Sequence, residues 1–523
     1  MRLNVQTIIF LSIMMLVSIG MSLLFAARLG IEADEAMIAN GMYPHGDPWY
    51  SWSIGGNEVP VMLITYLGAL KVWLAHPWLD FWRPGRTSLR FPAMVYSALS
   101  LWLFYVLLER ITNRTAAWIG VLLLVSDPSF ILIVSIDWGY VSLQLLFKLA
   151  AILLLVRFQQ ECKTWLLATA FFLFGLALWD KAVFLWVLFG LGAAALVVFP
   201  KEIFRQLSLR NIGIAVGSAA VGAFPLLVYN IARPLETLRA SGKVSHEPVF
   251  GKAMILWRAL DGYVMFGFLT SSSPANISGL AHHWYQSLSL KLSDWSGRPT
   301  QDLMLIAVAL AVLSIAFLWR TNARRPMVFA LVASIATWFA MAFTQGAGAA
   351  AHHVILLWPF PCMIVAIALS RLPKPAAIAT AAILCLSNAI VLNNYYAELI
   401  RNGPGLRWTD ALDPLEHYLL QRHPENIYIA DWGMKEGLNL LSEGSLPISS
   451  AEDRNEAALD NIFAAPNSVF VAHSPGLAFD PQELTFLESA AARLGWTREP
   501  LETIYDQNGR PTFDVFRFRK IHL

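Results

Sequence analysis

About eleven stretches of this chain run for roughly twenty residues with hardly a charged side chain, the length a helix needs to cross a hydrocarbon core of about 30 Å. They lie at 8–28, 89–108, 115–134, 139–156, 165–180, 182–199, 212–231, 301–319, 327–344, 353–370 and 376–393. A backbone in lipid must satisfy its own N–H and C=O groups, so this pattern confines most of the chain to a bundle of membrane helices. The run Trp165–Phe199 would be about 52 Å long as one helix at 1.5 Å per residue. It must fold back, and Asp180-Lys181 is the natural tip. Asp127-Pro128 marks a helix break, because Pro removes a backbone hydrogen bond and Asp can satisfy the freed groups. Composition agrees, with 57% hydrophobic and only 14% charged residues. The net charge of +2 and the scatter of Lys and Arg in small clusters, with no dominant basic stripe, give no sign of a nucleic-acid partner, and none is expected. Cys162, Cys362 and Cys385 have no C-x-x-C spacing, so neither a disulfide framework nor a zinc site is expected. The first apolar run, Ile8–Ala27, exceeds the usual core of a signal peptide and reads as a retained span.

Charge sets the orientation. The segment Val59–His76 is apolar but contains Pro60 and Lys71. If it lies flat at the interface, the loops holding Arg110 and Arg114, Arg157 and Lys163, Lys201 and Arg205, Arg324 and Arg325, and Arg371 and Lys374 share the side of Arg2. That side is the cytoplasm by the positive-inside rule. A spanning reading would move all of these clusters outside, so the flat helix is preferred, at the cost of placing Arg83, Arg86 and Arg90 outside. Outer loops then fall at 29–88 and 232–300.

The tail turns polar. Strand-like runs at Asn426–Asp431 and Ser468–His473, helical stretches near 410–421 and 482–493, and a closing hairpin around Asn508-Gly509 predict an α/β unit. The Asn-Gly pair suits a type I′ or similar tight turn. The chain is thus expected to be an all-α polytopic membrane domain over 1–394 followed by an extracytoplasmic α/β domain over 395–523.

Ionisable residues near the outer ends of the spans are the candidates for chemistry, since a charge at mid-bilayer is costly. Asp34-Glu35 follows the first span, Asp137 opens Asp137-Trp-Gly-Tyr140, Asp180-Lys181 caps the long hairpin, and His352-His353 begin a later span. Each also has a plain reading: a helix cap, a loop acid beside an interfacial Trp, a self-neutralising pair, and interfacial histidines. Metal binding by the histidines lacks a third ligand at suitable spacing. Together they could form a site in which acids take a proton and cations hold a phosphate, as transfer from an amphipathic phospholipid requires.

The order of these features resembles the membrane glycosyltransferases of the C-type fold, in particular glycosyltransferase family 39, which includes protein O-mannosyltransferases and bacterial aminoarabinose lipid A transferases. The resemblance is carried by Asp34-Glu35, the stretch from Glu58-Val-Pro60, Arg90-Phe-Pro92, Ser126-Asp-Pro128 to Asp137, Gly175-Leu-Ala-Leu-Trp-Asp-Lys181, and the span from His353 to Pro359. It covers about residues 8–394, with motifs in the first 200 or so, and leaves the tail uncovered. Two departures are the single proline at Glu58-Val-Pro60 and the residues flanking His353. The resemblance implies a polyprenyl-phosphate sugar donor, a lipid, glycan or protein acceptor, and transfer with inversion at the extracytoplasmic face of the cell (inner) membrane. It makes Asp34 the base, Glu35 its partner and Asp137 a second acid, with Arg90, Lys181, His352 and His353 as donor-binding residues. No cofactor is required by it, and a divalent metal stays an open alternative. The absence of inserted lectin-like repeats favours the bacterial branch. A secondary transporter and a membrane sensor are the alternatives from other classes. Transporters place their binding groups at the midplane within repeated halves, whereas these charges gather at one face and no repeat is evident.

Residues 395–523 should lie across the membrane from Arg110 and Arg157. Cysteine-labelling access from each side tests this, and a tail labelled only from the cytoplasm would overturn the topology.

Overall fold

The apolar runs become helices in the structure, a computed structural model that describes residues 4–272, 281–450 and 456–521. Arg2 of the topology argument, part of the 232–300 loop and a stretch of the tail lie outside the described residues. Five helices are long and apolar enough to cross a membrane: Val5–Ala26, Arg86–Ile111, Val141–Glu161, Arg324–Ala342 and Lys374–Asn402. Counting each of four sharply bent helix pairs as one span brings the number to nine, and Thr164–Asp180 and Met304–Phe317 are shorter apolar helices. By length and apolarity alone, then, the expected count of about eleven is reduced to between five and nine among the described residues. The hairpin tip is where the sequence placed it, with one helix ending at Asp180 and the next beginning at Phe184.

Small residues let these helices approach closely. A Cβ on Gly175 would lie 2.2 Å from the Ala219 carbonyl oxygen, so Thr164–Asp180 packs against Leu209–Gly222 backbone to backbone.

Two helix breaks lie against each other inside the bundle. Arg114–Ser126 and Pro128–Ile136 meet at 60°. Asp127 is the N-cap of the second, its Oδ1 accepting from Phe130 N at 2.8 Å, with Pro128 at the first helical position. Its Oδ2 accepts from the indole N–H of Trp358 at 2.9 Å, at the break between Ala351–Leu357 and Phe360–Leu369. The carbonyls freed at that second break, Leu356 and Trp358, each accept from the fully buried Lys148 Nζ at 2.5 Å. Interior breaks are tolerated in a membrane only when neighbouring groups re-satisfy the backbone in this way.

The basic loops meet at one end of the bundle. Arg114 donates to Asn4 Oδ1 and Thr7 Oγ1, Arg110 donates to Gln160 and pairs with Glu161, and Arg325 pairs with Glu202. The opposite end carries the first loop, and there Val59–His76 is not the flat helix expected. It contains most of β2 (Asn57–Ile64), which pairs antiparallel with β1 (Tyr50–Ile54), then β3 (Leu67–Gly68) and a short helix, Leu70–Leu79. Gly55 and Gly56, both at positive φ, make the tight turn between β1 and β2. Burial along β2 rises from the exposed Asn57 and Glu58 to the buried run Val61–Leu63 without alternation, and a short apolar run of this kind does not distinguish a strand from a helix by periodicity.

The last span continues as one 29-residue helix to Asn402, past the polar composition shift at 395, because Asn394, Tyr395 and Tyr396 are buried against the bundle. Beyond it, β4 (Asn426–Ile429), β5 (Ile448–Ser450), β6 (Ser468–His473), β7 (Trp496–Tyr505) and β8 (Pro511–Lys520) form a sheet in the order β5-β4-β6-β8-β7. β4 is parallel to both β5 and β6, while β8 is antiparallel to β6 and β7. Helices Leu412–Arg422 and Pro481–Arg493 fall where the sequence predicts them. The β7–β8 connection is not a two-residue turn. Five residues, Asp506 to Arg510, fold around the Asp506 carboxylate, which accepts from the Asn508 and Arg510 N–H groups at 2.9 Å each. This domain is pinned to the first loop by Arg86, which pairs with Asp413, and by Gly30 N, which donates to Trp408 O at 2.8 Å.

Asp127→Ala removes a helix cap and strands a buried indole N–H, so it should cost about 2 kcal/mol or more, read as a lower apparent melting temperature of the purified protein. Asp127→Asn, which keeps an acceptor oxygen, should retain most of the stability.

Candidate active site

The first acidic motif folds upon itself. Glu32 is the N-cap of the short helix Ala33–Ala36 and accepts from Asp34 N at 2.7 Å, while Glu35 reaches back to accept from Glu32 N at 2.9 Å, a reciprocal capping box. Glu35 then meets Arg90, whose Nε donates to Oε2 at 2.9 Å and whose Nη2 donates to Oε1 at 2.5 Å. The remaining N–H groups of this fully buried guanidinium go to the carbonyls of Ala26, Leu29 and Gly30. All five donors of the arginine are therefore occupied. Arg90 joins the end of the first helix to the start of the next span, and it has no N–H left for a donor phosphate. Glu35 is likewise a scaffold group and not a direct partner of the Asp34 carboxylate.

Asp34 is the acid that this scaffold presents. It is half-buried and its Oδ2 accepts from the indole N–H of Trp138 at 3.3 Å. Trp138 belongs to a left-handed turn in which Asp137, Gly139 and Tyr140 all have positive φ. At Gly139 the turn presses on His352, since a Cβ there would lie 2.4 Å from His352 Cδ2. The His352 ring packs edge-on against Trp138 at 4.3 Å, and His353 lies 4.1 Å beyond it. Lys181 closes the group by donating from Nζ to Gly139 O at 2.9 Å.

Asp137 turns to the other side of this turn. Its Oδ1 accepts from Ser142 N at 2.9 Å, and its Oδ2 is ion-paired with Lys71. The Lys71 ammonium also stands over the Tyr140 ring at 3.9 Å from the centroid. A cavity opens here, lined by Glu35, Lys71, Arg90, Tyr96, Asp137 and Tyr140 among others. Beside it the Asp180 carboxylate is buried with Oδ2 unbonded, and the backbones of Leu67 and Lys181 are bridged. Lys71 and Tyr140 are the residues sequence reasoning passed over. A lysine inside an apolar stretch was the available signal for the first, but it was weighed only as evidence about spanning.

The structure thus brings Asp34, Glu35, Arg90, Asp137, Lys181, His352 and His353 to one end of the bundle, as the sequence predicts, and divides them by task. Of Asp34, Glu35 and Asp137, Asp34 is the carboxylate that is half-buried and bonded only to the Trp138 indole, while Asp180 is buried; the ammonium groups of Lys71 and Lys181 flank the Asp137–Tyr140 turn. No group of three His, Cys, Asp or Glu side chains suited to a metal ion occurs among the described residues. Electrostatics at the cap is unbalanced toward acid. Burial, with Asp34 beside it, raises the Glu32 carboxyl from 4.5 to about 8, the Asp34 N–H and Arg407 opposing the rise.

No family model and no curated protein matches the chain. Solved structures do. ArnT from Cupriavidus metallidurans, bound to undecaprenyl phosphate, superposes with a TM-score of 0.60 at 13% identity, over 98% of each chain. The same protein in the apo state gives a TM-score of 0.62 at 12% identity, over 98% of this chain and 97% of ArnT. At such identities the likeness is one of fold, and it extends through the tail domain that the sequence resemblance did not reach. The C-type membrane glycosyltransferase architecture implied by the motifs is therefore the architecture of this chain.

Two outcomes follow from the cap. Arg90→Ala leaves the Glu35 charge buried without its partner, which typically costs about 3–5 kcal/mol, so a large fall in melting temperature is expected. Glu35→Gln should fall in the same direction, contrary to a purely catalytic role. For Glu32, the unfolded chain gives up its proton near 4.5 and the folded one near 8, so folding stability should decline as pH rises through that window and then level off. Melting temperatures of Glu32→Gln across the same range should lack that decline.

Proposed function

We propose that this chain transfers a sugar from a polyprenyl-phosphate carrier to an acceptor hydroxyl at the extracytoplasmic face of the membrane, with inversion. The observation that carries the reading is the division of labour in the first loop. Glu35 and Arg90 are consumed in holding the backbone, while Asp34 stands half-buried on that scaffold, within a fold shared with a protein solved with undecaprenyl phosphate. In this reading the nine spans counted with bent pairs joined, together with the two shorter apolar helices, make eleven, and the tail domain is extracytoplasmic.

The chemistry needs a base, a nucleophile and a stabilised leaving group. The acceptor O–H gives its proton to an Asp34 oxygen as its own oxygen forms a bond to the anomeric carbon. The anomeric C–O bond to the carrier phosphate breaks on the opposite face, and the electron pair leaves with the polyprenyl phosphate. Lys71 and Lys181 are the cations placed to offset the charge that builds on that phosphate. Asp137 holds Lys71 by its ion pair, which makes it a positioning residue rather than a second acid. His352, packed on Trp138, fixes the indole that donates to Asp34. The groups proposed for chemistry gather at one end of the bundle, while Asp127 and Lys148 at the interior helix breaks are taken up by backbone and indole partners, which favours transfer over transport.

Asp34→Asn keeps the size of the side chain and removes its basicity, so sugar transfer in a reconstituted assay should fall about 10²–10⁴-fold with donor binding nearly intact. Turnover at the wild-type rate would remove Asp34 from the mechanism. Lys71→Met should weaken the apparent affinity for the lipid donor by about 1.5–3 kcal/mol, as expected for a charge-assisted contact. Arg90→Lys, by contrast, should lower the yield of folded protein more than the donor affinity of what folds.

A further inference from the structure

The tail-domain sheet has a switch point facing the first loop. From β4 the chain passes to β5 on one side and then returns to β6 on the other, so the two parallel neighbours β4 and β6 send their connections apart. In open α/β sheets the crevice outside the carboxyl ends of such strands is where ligands bind. Asp431 lies just past the end of β4, and His473 is the last residue of β6.

One buried carboxylate organises both loops. Asp431 Oδ2 accepts from His473 Nδ1 at 2.6 Å and from Phe479 N at 3.0 Å. Its Oδ1 accepts from Trp432 N at 2.8 Å and from Asp480 N at 2.9 Å. The two aromatic side chains carried by those pinned segments, Trp432 and Phe479, meet at 5.5 Å and 88°. Trp432 is 45% exposed. The Arg407 guanidinium lies 4.9 Å from the Trp432 ring and 5.3 Å from that of Phe479. Arg407 also reaches the first loop, with Nη1 3.5 Å from Glu32 Oε1, a buried oxygen that has no hydrogen-bond partner. The other oxygen of Glu32 accepts from the backbone N–H of Asp34. Arg407 and Glu32 thus link the crevice to the backbone of Asp34, the proposed base.

Arg407 stands over one face of the Trp432 indole, and the exposed remainder of that ring next to a planar fork of N–H donors suits a pyranose ring. Its axial C–H groups pack on the negative face of the indole, and its vicinal hydroxyl oxygens accept from the guanidinium. The Arg407 guanidinium already stands over two aromatic rings and turns Nη1 toward Glu32 Oε1, so only part of its fork is open to a bidentate phosphate, and the aromatic surroundings favour a neutral sugar.

We propose that the crevice at the carboxyl ends of β4 and β6, formed by Trp432, Phe479 and Arg407 on the Asp431 post, binds a neutral pyranose of the acceptor and presents the acceptor hydroxyl to Asp34. The acceptor and its presentation to Asp34 rest on the glycosyl-transfer reading, whereas sugar binding in the crevice rests on the geometry of Trp432, Phe479 and Arg407.

Saturation-transfer NMR on the full chain in nanodiscs free of glycoside detergent tests this, with methyl glycosides of glucose, mannose, galactose and N-acetylglucosamine as probes and glucose 1-phosphate as the anionic comparison. At least one methyl glycoside should bind, about tenfold more weakly in Trp432→Ala, an equilibrium change of about 1.4 kcal/mol. Trp284→Ala, which removes an indole that is 77% exposed on the helix Trp284–Trp295, should bind as the parent does. Binding of glucose 1-phosphate alone, binding undiminished in Trp432→Ala, or equal loss in Trp284→Ala would overturn the site. Because no turnover is needed, glycoside binding in a protein that transfers no sugar would uphold the crevice and remove the transfer reading. Sugar transfer without any glycoside bound would do the reverse.

Discussion

The buried pair of Glu35 and Arg90 is the constraint on which the functional end of this molecule depends. An isolated guanidinium or carboxylate at this depth would be strongly disfavoured, and even a paired one is not a source of stability in itself. What makes the arrangement tolerable is complete satisfaction: five N–H donors find five acceptor contacts, three of them carbonyls around the end of the first helix. The consequence is geometric. The chain leaving the membrane at Ala26 and the chain re-entering it near Arg90 are locked together, and the four-residue helix between them can point Asp34 in only one direction.

The same economy governs the bundle interior. Where helices break, at Asp127-Pro128 and at Trp358-Pro359, Asp127 accepts from the Phe130 N–H and the Trp358 indole N–H, and Lys148 donates to the freed carbonyls of Leu356 and Trp358. These residues are charged by composition but structural by placement. Their counterparts at the bundle end, Asp34, Lys71 and Lys181, are engaged by fewer neighbours and border a cavity and a turn, and that difference in engagement, more than residue type, separates the groups proposed for chemistry from those that hold the fold.

The tail domain completes that end of the molecule. Arg86 and Gly30 hold it from the membrane side, and Arg407 spans the junction between the aromatic pair of the sheet crevice and the Glu32 carboxyl. The α/β unit sits at this end of the helices, so the proposed crevice lies beside the proposed transfer site. Such an arrangement fits an enzyme whose two substrates arrive from different phases, as the proposed function requires.

Much was legible in the sequence. The apolar runs, the fold-back at Asp180-Lys181, the break at Asp127-Pro128, the gathering of Asp34, Asp137, Lys181 and His352 at one end, and the strands and helices of the tail follow from length, hydropathy and local breaker residues. These are properties of short windows, and each is dictated by backbone chemistry within one or two turns. Illegible were the roles. Arg90 was expected to hold a phosphate and Lys71 was read only as a charge that argues against spanning, because the partners that decide them lie 55 residues away at Glu35 and 66 away at Asp137. The strand pair at Val59–His76 and the true end of the last helix at Asn402 were likewise settled by packing across distant segments. The sequence by itself determined that this is a membrane bundle with its candidate site charges at one end and an α/β tail beyond. Only the tertiary structure decided which of those charges are spent on the fold and which remain available, since that depends on how many hydrogen-bond partners the folded chain brings to each.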